Sequence, residues 1–110
     1  MAEQSRKQQI EEMLAEDPRD AFLRYCLGME YVGAGQHEEA ARCFRELLGI
    51  DPDYVPAYQQ AGKALQALGR TDEALAVWRA GIDRAGARGG PDDRHAAAEM
   101  EGWVEELSHG

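Results

Sequence analysis

Residues 21–54, AFLRYCLGMEYVGAGQHEEAARCFRELLGIDPDY, and residues 55–88, VPAYQQAGKALQALGRTDEALAVWRAGIDRAGAR, are one pattern written twice. Sliding the chain along itself by 34 residues sets Leu27-Gly28 on Ala61-Gly62, Gly35 on Gly69, Glu39-Ala40 on Glu73-Ala74 and Phe44 on Trp78. Self-similarity at a fixed period marks a repeat architecture, in which each unit buries its apolar face against the next.

The residues inside each unit call for helices. Leu23, Leu27 and Tyr31 recur at i, i+4 and i+8, the spacing of one helical face. Gly28 and Gly62 fall inside these helices, where Gly costs about 1 kcal/mol against Ala. A close crossing of the partner helix in the same unit, with Ala40 or Ala74 facing the glycine, offsets that cost. Gly35 and Gly69 follow the first helix of each unit and suit a left-handed residue that ends it. Glu38-Glu39 and Asp72-Glu73 open the second helices, at the positive end of the dipole, and Thr71 can cap the helix it precedes. Each unit is thus a helical hairpin. The spacing predicts helices over 3–16, 20–34, 37–49, 54–68, 71–86 and 92–108, and no strands.

The pattern resembles the tetratricopeptide repeat (TPR) family. The first unit, 21–54, has Leu27-Gly28, Tyr31, Gly35, Ala40, Phe44 and Pro52 at the family spacing, and departs from it with Arg24 and Leu47. The second, 55–88, has Tyr58, Ala61-Gly62, Leu65, Gly69, Ala74 and Trp78, and departs with Gly81 and with Gly86 at the proline place. The resemblance implies an all-α fold: a right-handed superhelical stack of antiparallel helix hairpins, about six helices in one domain over residues 1–110. The echo also reaches backwards. Asp17-Pro18 sits 34 residues before Asp51-Pro52, and Ile10 and Met13-Leu14 align with Phe44 and Leu47-Leu48. Residues 3–16 therefore read as a half repeat, the second helix of a unit whose first helix is missing.

Ala87-Arg88-Gly89-Gly90-Pro91 is the clearest break in the chain. Beyond it Asp92 or Asp93 can cap a helix over 92–108. Ala96, Met100, Trp103, Val104 and Leu107 make its apolar stripe, while Arg94, Glu99, Glu101, Glu105 and Glu106 mostly face water. This is the capping helix that a solenoid needs over its last core face. Gly102 inside it marks a close contact with the repeat below.

Composition narrows the function. The chain has 110 residues and a net charge of −9, with 21 acids against 12 bases, and no clustered basic run of the kind that binds phosphate backbones. Nucleic acid is not an expected partner. Residues 1–20 are polar and charged, without the apolar centre of a signal peptide, and no stretch approaches the length of a membrane span. That predicts a cytoplasmic protein with no membrane partner. Cys26 and Cys43 lie on successive helices of one unit and read as free, at least half-buried thiols.

Catalysis, metal and cofactor chemistry find no residues to carry them. His37 falls in a turn, His95 on the capping helix and His109 near the chain end, none at a metal-ligand spacing from Cys or another His. The only serines, Ser5 and Ser108, sit near the termini, and neighbouring acids such as Asp92-Asp93 do not face one another along a helix.

Recognition remains. In the TPR family the first helices of successive units line a concave groove, and the resemblance places Phe22, Tyr25, Cys26 and Met29 on or beside it, followed by Gln59, Gln60, Lys63 and Gln66. The groove is apolar at one end and amide-rich at the other, with Lys63 its main charge. Some family members clamp a terminal carboxylate with several cations, and one cation is too few for that. The expected ligand is an internal segment with an apolar anchor on Tyr25 and Met29, held through few ion pairs and with weak salt dependence. The alternative for Phe22, Tyr25 and Met29 is packing against the amino-terminal or capping helix. Two classes of function are compatible with this reading. One is an adaptor that binds a peptide segment or a partner protein. The other is a structural subunit that forms a homo-dimer through its incomplete terminal repeat.

Overall fold

A computed structural model of the chain describes residues 4–109. It has six helices and, among the described residues, no strand: α1 (Arg6–Glu16), α2 (Ala21–Gly33), α3 (His37–Ile50), α4 (Val55–Ala67), α5 (Thr71–Arg88) and α6 (Pro91–His109). The expected start of the first helix at residue 3 lies outside the described residues. Each helix packs on its neighbour in sequence, and α6 also touches α4, which puts these two on one side of α5. The stack is elongated, 51 × 29 × 20 Å.

The helix ends follow local chemistry. Ser5 and Gln8 form a reciprocal capping box at the start of α1, and the Asp20 side chain accepts from the Leu23 amide at 3.0 Å to start α2. Gly35 and Gly69 are left-handed, with φ of 74° and 76°. Around them the amides of Gln36 and Arg70 donate back to the Tyr31 and Leu65 carbonyls, both at 2.9 Å. This is the same Schellman stop in both units. Because residues 36 and 70 end one helix and begin the next, Thr71 is already the first residue of α5 and caps nothing; Arg70 is the N-cap, and its side chain makes no capping bond. The acids Glu38, Glu39, Asp72 and Glu73 do lie in the first turns of α3 and α5. Helix α5 runs through Gly86 to Arg88 and stops at Gly89, φ 71°. Ala85, fully buried, holds that last turn against the core. Pro91 opens α6, and Asp93 reaches back to the Gly90 amide.

The helix-internal glycines do mark close crossings, but the partners are aromatic. A Cβ on Gly28 would stand 2.5 Å from Cε1 of Phe44, and one on Gly62 would collide with the indole of Trp78. The expected partners, Ala40 and Ala74, are buried nearby in the core and do not fill those sockets. A flat ring laid across a bare backbone brings two helices together while burying a large apolar area, worth about 2–3 kcal/mol for a residue of that size. Phe44 and Trp78 are 0 % and 1 % exposed. Gly81 makes a third socket, in which a Cβ would meet Cβ of Tyr58 at 2.6 Å and Sδ of Met100 at 2.7 Å. Gly102 is different. Nothing lies within 4 Å of a Cβ placed there, so it marks no contact with the repeat below.

The core has two buried clusters along the stack, bridged by the half-buried Leu48, Val77 and Leu107. Ala40, Phe44, Leu47, Ala57, Ala61 and Leu65 bury the first interface; Val55, Tyr58, Trp78, Ala85, Ala96 and Met100 bury the second. Tyr58 donates its hydroxyl to the Pro52 carbonyl at 2.6 Å, and no buried side-chain nitrogen or oxygen among the described residues lacks a partner. Helix α1 contributes Ile10 alone to the buried set. Met13, aligned with the fully buried Leu47, is 47 % exposed.

Candidate functional site, the face of the first helices

Phe22, Tyr25, Cys26 and Met29 are spaced i, i+3, i+4 and i+7 along α2 and form one stripe. Phe22 is 64 % exposed; the other three are half-buried. Tyr25 leans on Phe44, ring centroids 5.7 Å apart, and on Tyr54, 5.4 Å apart. Burial raises the pKa of the Tyr25 hydroxyl, opposed by the nearby Gln60 side chain of α4. Tyr25 and Met29 pack against the core cluster formed by α3, α4 and α5, whereas Phe22 stays largely in solvent.

The rest of the α4 stripe meets α6. The Gln59 amide donates to Glu99 at 3.2 Å, the Lys63 ammonium lies 4.5 Å above the Trp103 ring, and Gln66 shares a recess with Trp103 and Glu106. Glu99, Trp103 and Glu106 are themselves spaced i, i+4 and i+7, so two helical stripes run side by side in the same direction. The recess between them, lined by Lys63, Gln66, Trp78, Trp103 and Glu106, holds ≈ 70 Å³. That is room for water and not for a ligand group. Trp103 also packs on Trp78, centroids 5.3 Å apart.

The structure therefore divides the expected groove. The α2 end is aromatic and open; the amide end is bordered by α6, and its cation is already held by an indole. Sequence reasoning missed Tyr54, which has no counterpart one period away because Asp20 stands there. Its position at the end of the Asp51-Pro52-Asp53 turn was the available signal. The α6 stripe was read as core and solvent, and Glu99 is indeed exposed while bonded to Gln59.

Larger recesses lie elsewhere. One of ≈ 370 Å³ is lined by Glu38, Ala41, Arg42, Arg45, Glu46 and Arg70. Most of its charges are spent on each other and on their neighbours: Arg70 pairs with Glu38 at 3.0 Å, Arg45 with Glu73 at 3.2 Å and Arg24 with Glu46 at 3.0 Å. The Arg24 pair joins α2 to α3 and the other two join α3 to the start of α5; as exposed pairs they contribute little stability each. Cys26 and Cys43 are free and half-buried; burial, then the nearby Glu46 carboxylate, pushes the Cys43 thiol up to about 11. No helix among the described residues is long and apolar enough to cross a membrane.

Helical hairpins stacked at a 34-residue period, each closed by an aromatic on a glycine, define a helical-repeat protein. The tetratricopeptide repeat family profile matches residues 31–88, and the chain belongs to that family. It is 35 % identical over 98 residues to the TPR repeat-containing protein PA0015 of Pseudomonas aeruginosa, covering 89 % of this chain and 90 % of that one. Its fold is similar to the solution structure of protein BPP2914 from Bordetella parapertussis: 30 % identity, TM-score 0.82, 97 % of this chain and 90 % of the other. The crystal structure of PcrH in complex with the chaperone binding region of PopD shares the fold at TM-score 0.87 and 19 % identity, over 94 % of this chain and 76 % of the other.

Proposed function

We propose that this protein is a non-catalytic adaptor or scaffold whose α2 stripe, with Gln60 and Tyr54 beside it, binds a segment of a partner protein. The observation that carries this reading is Phe22. A large apolar side chain left 64 % exposed, one turn before Tyr25 and its Tyr54 partner, stands in a protein whose other Phe, Tyr and Trp rings are all buried or half-buried. An anchor residue closing on it would gain about 1.5–3 kcal/mol. PcrH, a protein of the same fold, holds the chaperone binding region of PopD, which supports a segment as the ligand. Gln59, Lys63 and Gln66 then act at the rim, since α6 already engages them.

The test is a capture experiment with matched variants. Proteins retained by wild type and by a Met13→Ala control on α1, but lost from Phe22→Ala and Tyr25→Ala, are groove partners, and their binding segment is then mapped by titration. Partners retained equally by all four chains would overturn the reading.

One observation favours the rival class, a self-associating subunit: Met13 is exposed where its counterpart Leu47 is buried. Its surroundings oppose that use. Met13 shares its recess with Gln9, Glu12 and Glu16, so pairing two copies there would bring like charges together. Light scattering decides, with a monomer expected.

A further inference from the structure

The open end of the groove has an aromatic floor and an acidic rim. Tyr25 and Tyr54 pair with ring planes at 39°, and exposed Phe22 lies one helical turn before Tyr25 on α2. Asp20 closes the turn before α2, and Asp51 ends α3, its carbonyl accepting from the Tyr54 amide at 3.2 Å. Both carboxylates lie near enough to Tyr54 to add, after burial and the neighbouring Tyr25 and Cys26, to the upward push on its phenol. Each uses one oxygen on the backbone: Asp20 Oδ1 accepts from the Leu23 amide and Asp51 Oδ1 from the Asp53 amide. The second oxygen of each is left for a partner. Two of the nearby cations are engaged elsewhere. Arg24 is bonded to the Pro18 carbonyl and to Glu46, Lys63 lies on Trp103, and Arg19, exposed in the turn, forms no ion pair among the described residues.

Ring faces attract a cation, and carboxylate oxygens accept its protons. We propose that the segment held in this groove is basic: a Lys or Arg side chain lies over the Tyr25 and Tyr54 rings between Asp20 and Asp51, with an adjacent apolar residue on Phe22. The inference rests on the reading of this face as a peptide site and specifies the chemistry of its ligand. A net charge of −9 steers such a partner toward the protein. The expectation of few ion pairs came from counting cations along the α2 and α4 stripes; Asp20 and Asp51 sit in the turns beside those stripes, where only the fold brings them to one rim.

A display library of random peptides about a dozen residues long is selected on the full chain. An enriched peptide is then titrated against wild type, Phe22→Ala and the double variant Asp20→Asn/Asp51→Asn. Asparagine keeps the oxygen that accepts each backbone amide, so the start of α2 and the turn after α3 are retained while the charge is lost. Enriched peptides are expected to carry Lys or Arg beside an apolar residue, and both variants to weaken binding roughly tenfold. Added salt should weaken binding to wild type and have much less effect on the double variant. Peptides that need Phe22 but are uncharged or acidic, or that ignore the double variant, overturn the basic ligand and leave the groove standing. Peptides indifferent to Phe22→Ala, or a library from which nothing is enriched, overturn the groove and this inference with it. Should the double variant lose its helical melt, affinity of wild type that stays constant with salt overturns the proposal.

Discussion

The indole of Trp78 occupies the space that a Cβ on Gly62 would need, and its Nε1 donates to the Gln59 carbonyl at 3.2 Å, one turn earlier on the same helix. One side chain thus fixes both the distance between α4 and α5 and their register. Gly62→Ala gains about 1 kcal/mol of helix propensity and forces the indole out of its socket, so a net loss of about 1–3 kcal/mol is expected. Thermal or urea melts followed by circular dichroism measure it, and an unchanged midpoint would refute the socket.

Gly102 gives the opposite sign. It is exposed in the middle of α6, with open space where a Cβ would stand. Gly102→Ala is expected to stabilise by about 0.5–1 kcal/mol, because the unfolded chain loses freedom and the folded one loses nothing. A lower melting midpoint would mean that the glycine serves a contact after all.

Met100 fills the room that Gly81 leaves between α4, α5 and α6, and is 0 % exposed. Met100→Ala should cost about 2–5 kcal/mol. Adding Gly81→Ala should not restore the loss, since the new methyl would still meet the Tyr58 Cβ. Recovery of wild-type stability in that double variant would contradict the packing described.

The Cys43 thiol is raised from 9.0 to about 11, by burial first and then by Glu46. Its neutral form is therefore the one the fold prefers. The associated stability is fully present below pH 9 and is lost as pH rises from there through about 11. At pH 8, alkylation of Cys43 in a Cys26→Ser chain should be slower than that of an unstructured thiol, followed by mass spectrometry. Labelling at the free-thiol rate would show that Cys43 is not held in the buried site.

The sequence alone determined the architecture, because the features that specify a repeat are local and recur at one spacing. The 34-residue period, the left-handed stops at Gly35 and Gly69 and the break at Gly89-Gly90-Pro91 are each set by backbone chemistry within a few residues. The α2 stripe was legible for the same reason, since i, i+3, i+4 and i+7 share a helical face whatever else the chain does. What only the tertiary structure decided were the pairings between elements. Phe44 and Trp78, rather than Ala40 and Ala74, meet the helix-internal glycines. The α6 stripe of Glu99, Trp103 and Glu106 borders Gln59, Lys63 and Gln66, and Tyr54 and Asp51 come to Tyr25 and Asp20 across a turn. Periodicity says which face a residue lies on, but not which neighbour reaches it. That is settled by the crossing distance of packed helices, which depends on the volumes of all the side chains between them.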